Sequence, residues 1–91
     1  DNLAFDRDGN LWVLTDMPGA SVNGAVSREG ASAPGTDGFV GVFGSSALYM
    51  IPTRGPRAGQ AHCFALGPAE CELCGVTFSP DGRTLLLAVQ H

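Results

Sequence analysis

Asn2-Leu-Ala-Phe-Asp-Arg-Asp-Gly-Asn-Leu-Trp-Val13 and Gly75-Val-Thr-Phe-Ser-Pro-Asp-Gly-Arg-Thr-Leu-Leu-Leu87 are two versions of one phrase, set 73 residues apart. Phe5 falls on Phe78, and Asp8-Gly9 falls on Asp81-Gly82. Each copy reads as a short apolar strand, an Asp-Gly turn and a second apolar strand. Glycine accepts the positive φ that such turns demand, so both stretches are read as β-hairpins. A hairpin that recurs at long spacing among other short strands is the mark of a radially repeated all-β fold.

Working outward, residues 2–6 and 10–16 form the first hairpin. Residues 18–37 are rich in Gly, Ala and Ser, show no periodicity, and read as a long loop. Phe39-Val-Gly-Val-Phe43 is a short strand or a compact part of that loop. Residues 46–53 read as a strand closed by Pro52 and the Arg54-Gly-Pro-Arg-Ala-Gly59 turn, and 60–66 as its return. Residues 75–79 and 83–90 then give the second hairpin, and no stretch reads as helix. The expected fold is therefore all-β: a β-propeller fragment, about one four-stranded blade (1–66) plus the inner hairpin of the next (67–91). A blade takes roughly 40–50 residues, and the chain opens directly on a strand phrase, so it reads as part of a larger protein. Its open sheet edges and faces are expected to depend on neighbouring blades.

The 91 residues carry five arginines, no lysine and nine acidic side chains, for a formal charge of −4. That balance speaks against a nucleic-acid or anionic-membrane partner, either of which calls for a basic patch. No apolar run is long enough to span a membrane. The glycines match neither dinucleotide nor Walker spacing, and no Gly-x-Ser-x-Gly elbow is present. Three cysteines, an odd number, fix no redox compartment.

In antiparallel pairing, the start of one strand and the end of the next share an edge. Asp1, Asn2 and Asp16 are thereby placed together in one copy, and Cys74, Gly75, Gln90 and His91 in the other. Glu72 shares the side of Cys74 if the chain is extended there. Carboxylates and amide oxygens converging on one end suit a hard cation such as calcium, although strand-ending acids in solvent give the same spacing. Asp8 and Asp81 are read as turn formers, and Trp12 as core. Cys71-Glu-Leu-Cys74 has CxxC spacing, but too few partners converge for zinc, so the two thiols are expected to be neither zinc-bound nor bridged. His62 is expected to share a strand face with Phe64 and Leu66.

Asp1-Asn-Leu-Ala-Phe5, Gly9-Asn-Leu-Trp-Val13 and Thr15-Asp16 together resemble one signature of the PhoX-type alkaline phosphatases. Glu72-Leu-Cys-Gly-Val-Thr-Phe-Ser-Pro-Asp-Gly-Arg-Thr-Leu85, running on to Gln90-His91, resembles a second. Leu48 to Thr53 and Cys63 to Pro68 are similar to the same family, whereas loop 18–37 is not covered. The resemblance implies a six-bladed propeller that hydrolyses phosphomonoesters with calcium and iron. It also implies a small-molecule phosphate ester as partner, a monomer when full length, and a periplasmic or secreted location. Glu72 is implied as a metal ligand, and Asp1, Asn2 and Asp16 match signature positions near the channel. Cys74 stands where the family commonly has Thr, and Ala88 where it commonly has Asn. The alternatives are a calcium-binding propeller with lactonase-like or no catalysis, and a protein-interaction propeller.

Overall fold

The computed structural model describes residues 2–16, 46–68 and 71–90. Six strands follow in chain order: β1 (Asn2–Phe5), β2 (Leu11–Leu14), β3 (Ala47–Ile51), β4 (His62–Leu66), β5 (Glu72–Phe78) and β6 (Leu85–Gln90). No helix occurs among the described residues. Strands β1-β2-β3-β4 make one antiparallel sheet in chain order, and β5-β6 make a second. The fold is all-β and has the form expected of a propeller fragment, with a four-stranded meander followed by a hairpin. Asp1, His91, the expected loop at 18–37 and the possible strand at 39–43 lie outside the described residues.

The two hairpins pair alike, with Phe5 opposite Leu11 and Phe78 opposite Leu85 next to each turn. The turns are wider than a two-residue loop. In each, a four-residue turn closes from the glycine N–H back to a carbonyl: Gly9 to Asp6 at 3.1 Å and Gly82 to Ser79 at 2.9 Å. Pro80 sits at the second position of the latter, where a fixed φ near −65° suits a type I turn, and glycine takes the fourth. Gly9 and Gly82 have φ of 85° and 71°, values that a side chain penalises.

The core lies between the two sheets. Trp12, Leu14 and Leu48 from the first meet Cys71, Leu73 and Val76 from the second, flanked by Ala4, Met50, Ala65, Phe78, Leu85 and Leu87. Trp12 is held from two sides, by Phe64 with ring centroids 4.9 Å apart and edge-on, and by Phe78 at 5.3 Å. Such aromatic pairs contribute about 0.5–1.5 kcal/mol each beyond area burial. Burying Trp12 between sheets bears out its reading as core.

Two bulges change the reading of side-chain direction. In β4, Ala65 pairs with Leu48 and Cys63 with Tyr49, leaving Phe64 as the extra residue. His62 therefore pairs with Met50 and stands in the row of Trp12, while Leu66 pairs with Ala47, a neighbour of Leu48 on the other parity. The expectation that His62 and Leu66 share a face fails for that reason, since one inserted residue inverts the alternation. In β5, Gly75 (φ 64°) and Val76 oppose Leu87 alone, a bulge opened by a left-handed glycine. Leu73 before the bulge and Val76 and Phe78 after it can then all face the core.

Candidate functional site

The turn ends of the two sheets lie side by side. The Arg7 guanidinium donates to the Asp81 carbonyl at 2.9 Å, joining the first turn to the second. The β3–β4 connection reaches the same end: Thr53 Oγ1 donates to the Gly9 carbonyl at 2.7 Å, and Arg54 to the Asp8 carbonyl at 2.7 Å. Arg7, Arg54, Arg57 and Arg83 all belong to these connections. The sheets also meet toward their opposite ends, where Gly67, whose N–H donates to the Ser46 carbonyl at 2.8 Å, lies against Cys71 and Leu73.

That opposite end carries the acids singled out in the sequence. Asn2 pairs with Leu14 at the start of β1, and Asp16, exposed, follows two residues beyond the end of β2. Thr15 continues the pairing: its N–H donates to the Ala47 carbonyl at 3.0 Å, and its Oγ1 accepts from the Ala47 N–H at 2.9 Å. Glu72 is the first residue of β5 and pairs with Gln90 at the end of β6. The strand begins three residues earlier than the sequence reading had it, because the Gly75 bulge lets it continue past an apparent break. Glu72 is half-buried and stands six residues before Phe78, about 20 Å from the turn end at 3.3 Å per residue. Among the described residues the arginines and the Glu72–Asp16 end are thus at opposite poles, and no three of His, Cys, Asp or Glu draw together as a metal cluster.

Alternation along β5 separates the CxxC thiols. Cys71 and Leu73 are buried against the first sheet, while Glu72 and Cys74 take the other side with Gln90 and Ala88 across from them. The Cys74 thiol lies 4.0 Å from Gln90 Oε1. All three cysteines are free. Gly67 explains why Cys71 packs so tightly, since a Cβ there would stand 2.5 Å from the Cys71 sulfur and 3.1 Å from the Ser46 carbonyl.

The sequence reading missed the carboxylate that organises the first turn. Asp6 accepts from the Asp8 N–H at 3.0 Å, the Asn10 N–H at 2.9 Å, the Asn10 side-chain amide at 3.0 Å and Trp12 Nε1 at 2.9 Å. Burial raises its pKa, but these bonds from Trp12, Asn10 and Asp8 outweigh it and hold the carboxyl below its ordinary 3.8. The available signal was Asp6-x-Asp8 leading to Asn10, an Asx-turn spacing. In the second copy Ser79 takes that place: its Oγ accepts from the Thr84 N–H at 3.0 Å and donates to Asp81 at 2.6 Å. The Ser79 hydroxyl and the Arg83 N–H hold Asp81 below 3.8 as well. Asp81 is a turn former, as read; in the first turn Asp6 does that work.

A family model described as Alkaline phosphatase PhoX matches residues 1–91, the whole chain. The chain belongs to the PhoX alkaline phosphatase family. No curated protein and no solved structure matches it. Membership in the PhoX family supports a phosphatase activity on small molecules. No helix among the described residues is long and apolar enough to cross a membrane.

Proposed function

We propose that this chain is one blade and the following inner hairpin of a metal-dependent phosphomonoesterase of the PhoX type. On this reading the reaction centre lies at the acidic end of the sheets. The observation that carries it is where the charges fall: Glu72, Gln90, Asn2 and Asp16 stand at or just beyond strand ends that hold no arginine of the described residues, while four of the five arginines, together with Asp6, Asp8 and Asp81, belong to the connections at the other end.

The donor chemistry at that end fits a hard cation. Glu72 and Asp16 offer carboxylates, and Asn2 and Gln90 offer amide oxygens, the ligand types that calcium takes. Glu72, with Asp1, Asn2 and Asp16 from the adjoining blade, would hold the ion. Calcium and iron, the pair the family implies, would neutralise phosphate charge and activate an oxygen nucleophile when bound. Glu72 projects from the first pair of its hairpin, on the face away from the core. Leu73 and Cys71, buried on either side, fix the backbone that presents it. Regular pairing of Glu72, Leu73 and Cys74 with Gln90, Val89 and Ala88 keeps that backbone extended between the bulge and the site end.

Export to the periplasm or the exterior belongs to this proposal, since millimolar calcium outside cells matches weak oxygen-ligand sites. The test is an assay of the intact protein carrying this chain, with p-nitrophenyl phosphate, before and after removal of calcium by a chelator. Activity lost on chelation and regained with calcium is expected. Full activity in chelator would refute the metal role, and calcium binding without phosphate release would favour a non-catalytic propeller.

A further inference from the structure

The two Asp-Gly turns are alike in backbone and unlike in what holds the aspartate. Asp8 and Asp81 each stand third in a four-residue turn. Each is followed by a left-handed glycine whose N–H is bonded back across the turn, at 3.1 Å to Asp6 and at 2.9 Å to Ser79. Asp81 is tied down: its Oδ1 accepts from the Ser79 hydroxyl at 2.6 Å and from the Arg83 N–H at 3.1 Å. The Asp8 carboxylate is exposed and makes no hydrogen bond or ion pair among the described residues. The donors of its turn converge on Asp6 instead.

An aspartate followed by glycine carries a latent reaction, because no side chain on the glycine shields its nitrogen. That nitrogen attacks the side-chain carboxyl carbon, and a C–N bond forms. The carboxyl hydroxyl leaves with the N–H proton as water, which closes a five-membered succinimide. Water then reopens the ring at either carbonyl. One product is the original aspartate; the other is isoaspartate, in which the main chain runs through the side-chain carboxyl. The step needs a carboxyl that is neutral and free to rotate. The bonds that hold Asp81 below its ordinary 3.8 oppose both requirements. The glycine N–H must leave its turn bond in either hairpin, so that cost does not separate the two sites.

We propose that Asp8-Gly9 is a self-modification site, converting to isoaspartate in the folded protein while Asp81-Gly82 is protected. The product alters the junction it belongs to. The Asp8 carbonyl that accepts from Arg54 becomes a free carboxylate. One methylene is added to the main chain ahead of the Gly9 carbonyl that accepts from Thr53. The contacts that join the β3–β4 connection to the first turn are thereby remade around a new charge. The third Asp-Gly pair, Asp37-Gly38, lies outside the described residues.

The test ages the intact protein carrying this chain at neutral pH, once folded and once in guanidinium, and locates isoaspartate to the residue by peptide mapping with fragmentation. In the folded protein Asp8 is expected to convert about fivefold faster than Asp81 or more, the factor that one ordinary hydrogen bond corresponds to. In denaturant both carboxylates lose their surroundings and keep only the following glycine, so the two rates are expected to converge. The proposal is overturned if Asp8 stays unconverted in the folded protein or if Asp81 keeps pace with it there. It is equally overturned if the gap persists in denaturant, which would assign it to the preceding Arg7 and Pro80 rather than to the fold.

Discussion

Trp12 and Asp6 are joined by a 2.9 Å hydrogen bond that runs from the core to the tip of the first hairpin. The indole is the largest side chain between the sheets, and its one polar atom points out at the carboxylate that also shapes the turn. Turn and core are thereby one cooperative unit. Replacing Asp6 with Ala leaves the buried indole N–H and two backbone donors without their acceptor. A loss of about 1–3 kcal/mol is expected, measured by chemical denaturation with Trp12 fluorescence as the probe. A change of under a few tenths of a kcal/mol would show that the turn does not brace the core.

Acid should loosen the fold through the same group. The folded pKa of Asp6 lies below its ordinary 3.8, so the ionised form is favoured by folding. Its contribution is complete above the unfolded value and disappears as pH falls through the depressed folded value. Stability is therefore expected to drop below about pH 4, and the drop should shrink in Asp6→Asn. Asp81, exposed and also depressed, adds a smaller component in the same direction. Unfolding midpoints at pH 6 and pH 3 for the two proteins decide the matter; equal drops would exclude Asp6 as the source.

At the junction of the two turns, the Arg7 side chain lies across Gly82, where an added Cβ would come within 2.5 Å of Arg7 Cδ. Gly82→Ala is expected to cost about 1 kcal/mol or more, from the left-handed backbone and from displacement of Arg7. Arg7→Ala should relieve the second part only. A Gly82→Ala, Arg7→Ala double variant as stable as Arg7→Ala alone would show that backbone strain contributes nothing.

Core packing gives a prediction of larger size. Leu73 is fully buried just ahead of the Gly75 bulge, against residues of the first sheet. Leu73→Ala is expected to cost about 2–5 kcal/mol and to separate the second hairpin from the first sheet. Leu3→Ala, at an exposed position, should cost far less.

The hairpins were legible because their signal is local: apolar runs on either side of Asp-Gly, twice. Trp12 as core and Asp81 as a turn former followed from the same reading. What stayed hidden depends on pairing. No rule of composition marks Phe64 as an extra residue, since the β4 bulge exists only relative to Leu48 and Tyr49 on β3. The start of β5 at Glu72 was obscured by Gly75, which was read as the first residue of the strand and acts as a bulge within it. Asp6 was passed over because the neighbouring Asp8-Gly9 carries the stronger turn signal, although the bonds converge on Asp6. Among the proposed ligands, the structure sets Asn2, Asp16 and Glu72 at one end of the molecule, and Asp1 lies outside the described residues.

Glu72 is where the proposed function is most exposed to test. It begins β5 opposite Gln90, half-buried, with no arginine of the described residues at its end of the sheets. Glu72→Gln keeps the shape and the strand pairing but removes the charge that a hard cation needs. In the intact protein this change is expected to weaken calcium binding at least tenfold and to reduce phosphate release in parallel, while the denaturation midpoint stays within error. Asp8→Asn, at the arginine-bearing end, is the matched control and should leave both readouts unchanged. Asp16→Asn should fall between them, since Asp16 shares the site end but follows β2 rather than beginning β5. Calorimetric titration with calcium, run beside the phosphatase assay, separates the two roles. Lost turnover with unaltered calcium affinity would move Glu72 from metal ligand to substrate contact. If both readouts survive in Glu72→Gln, the ligand assignment is wrong.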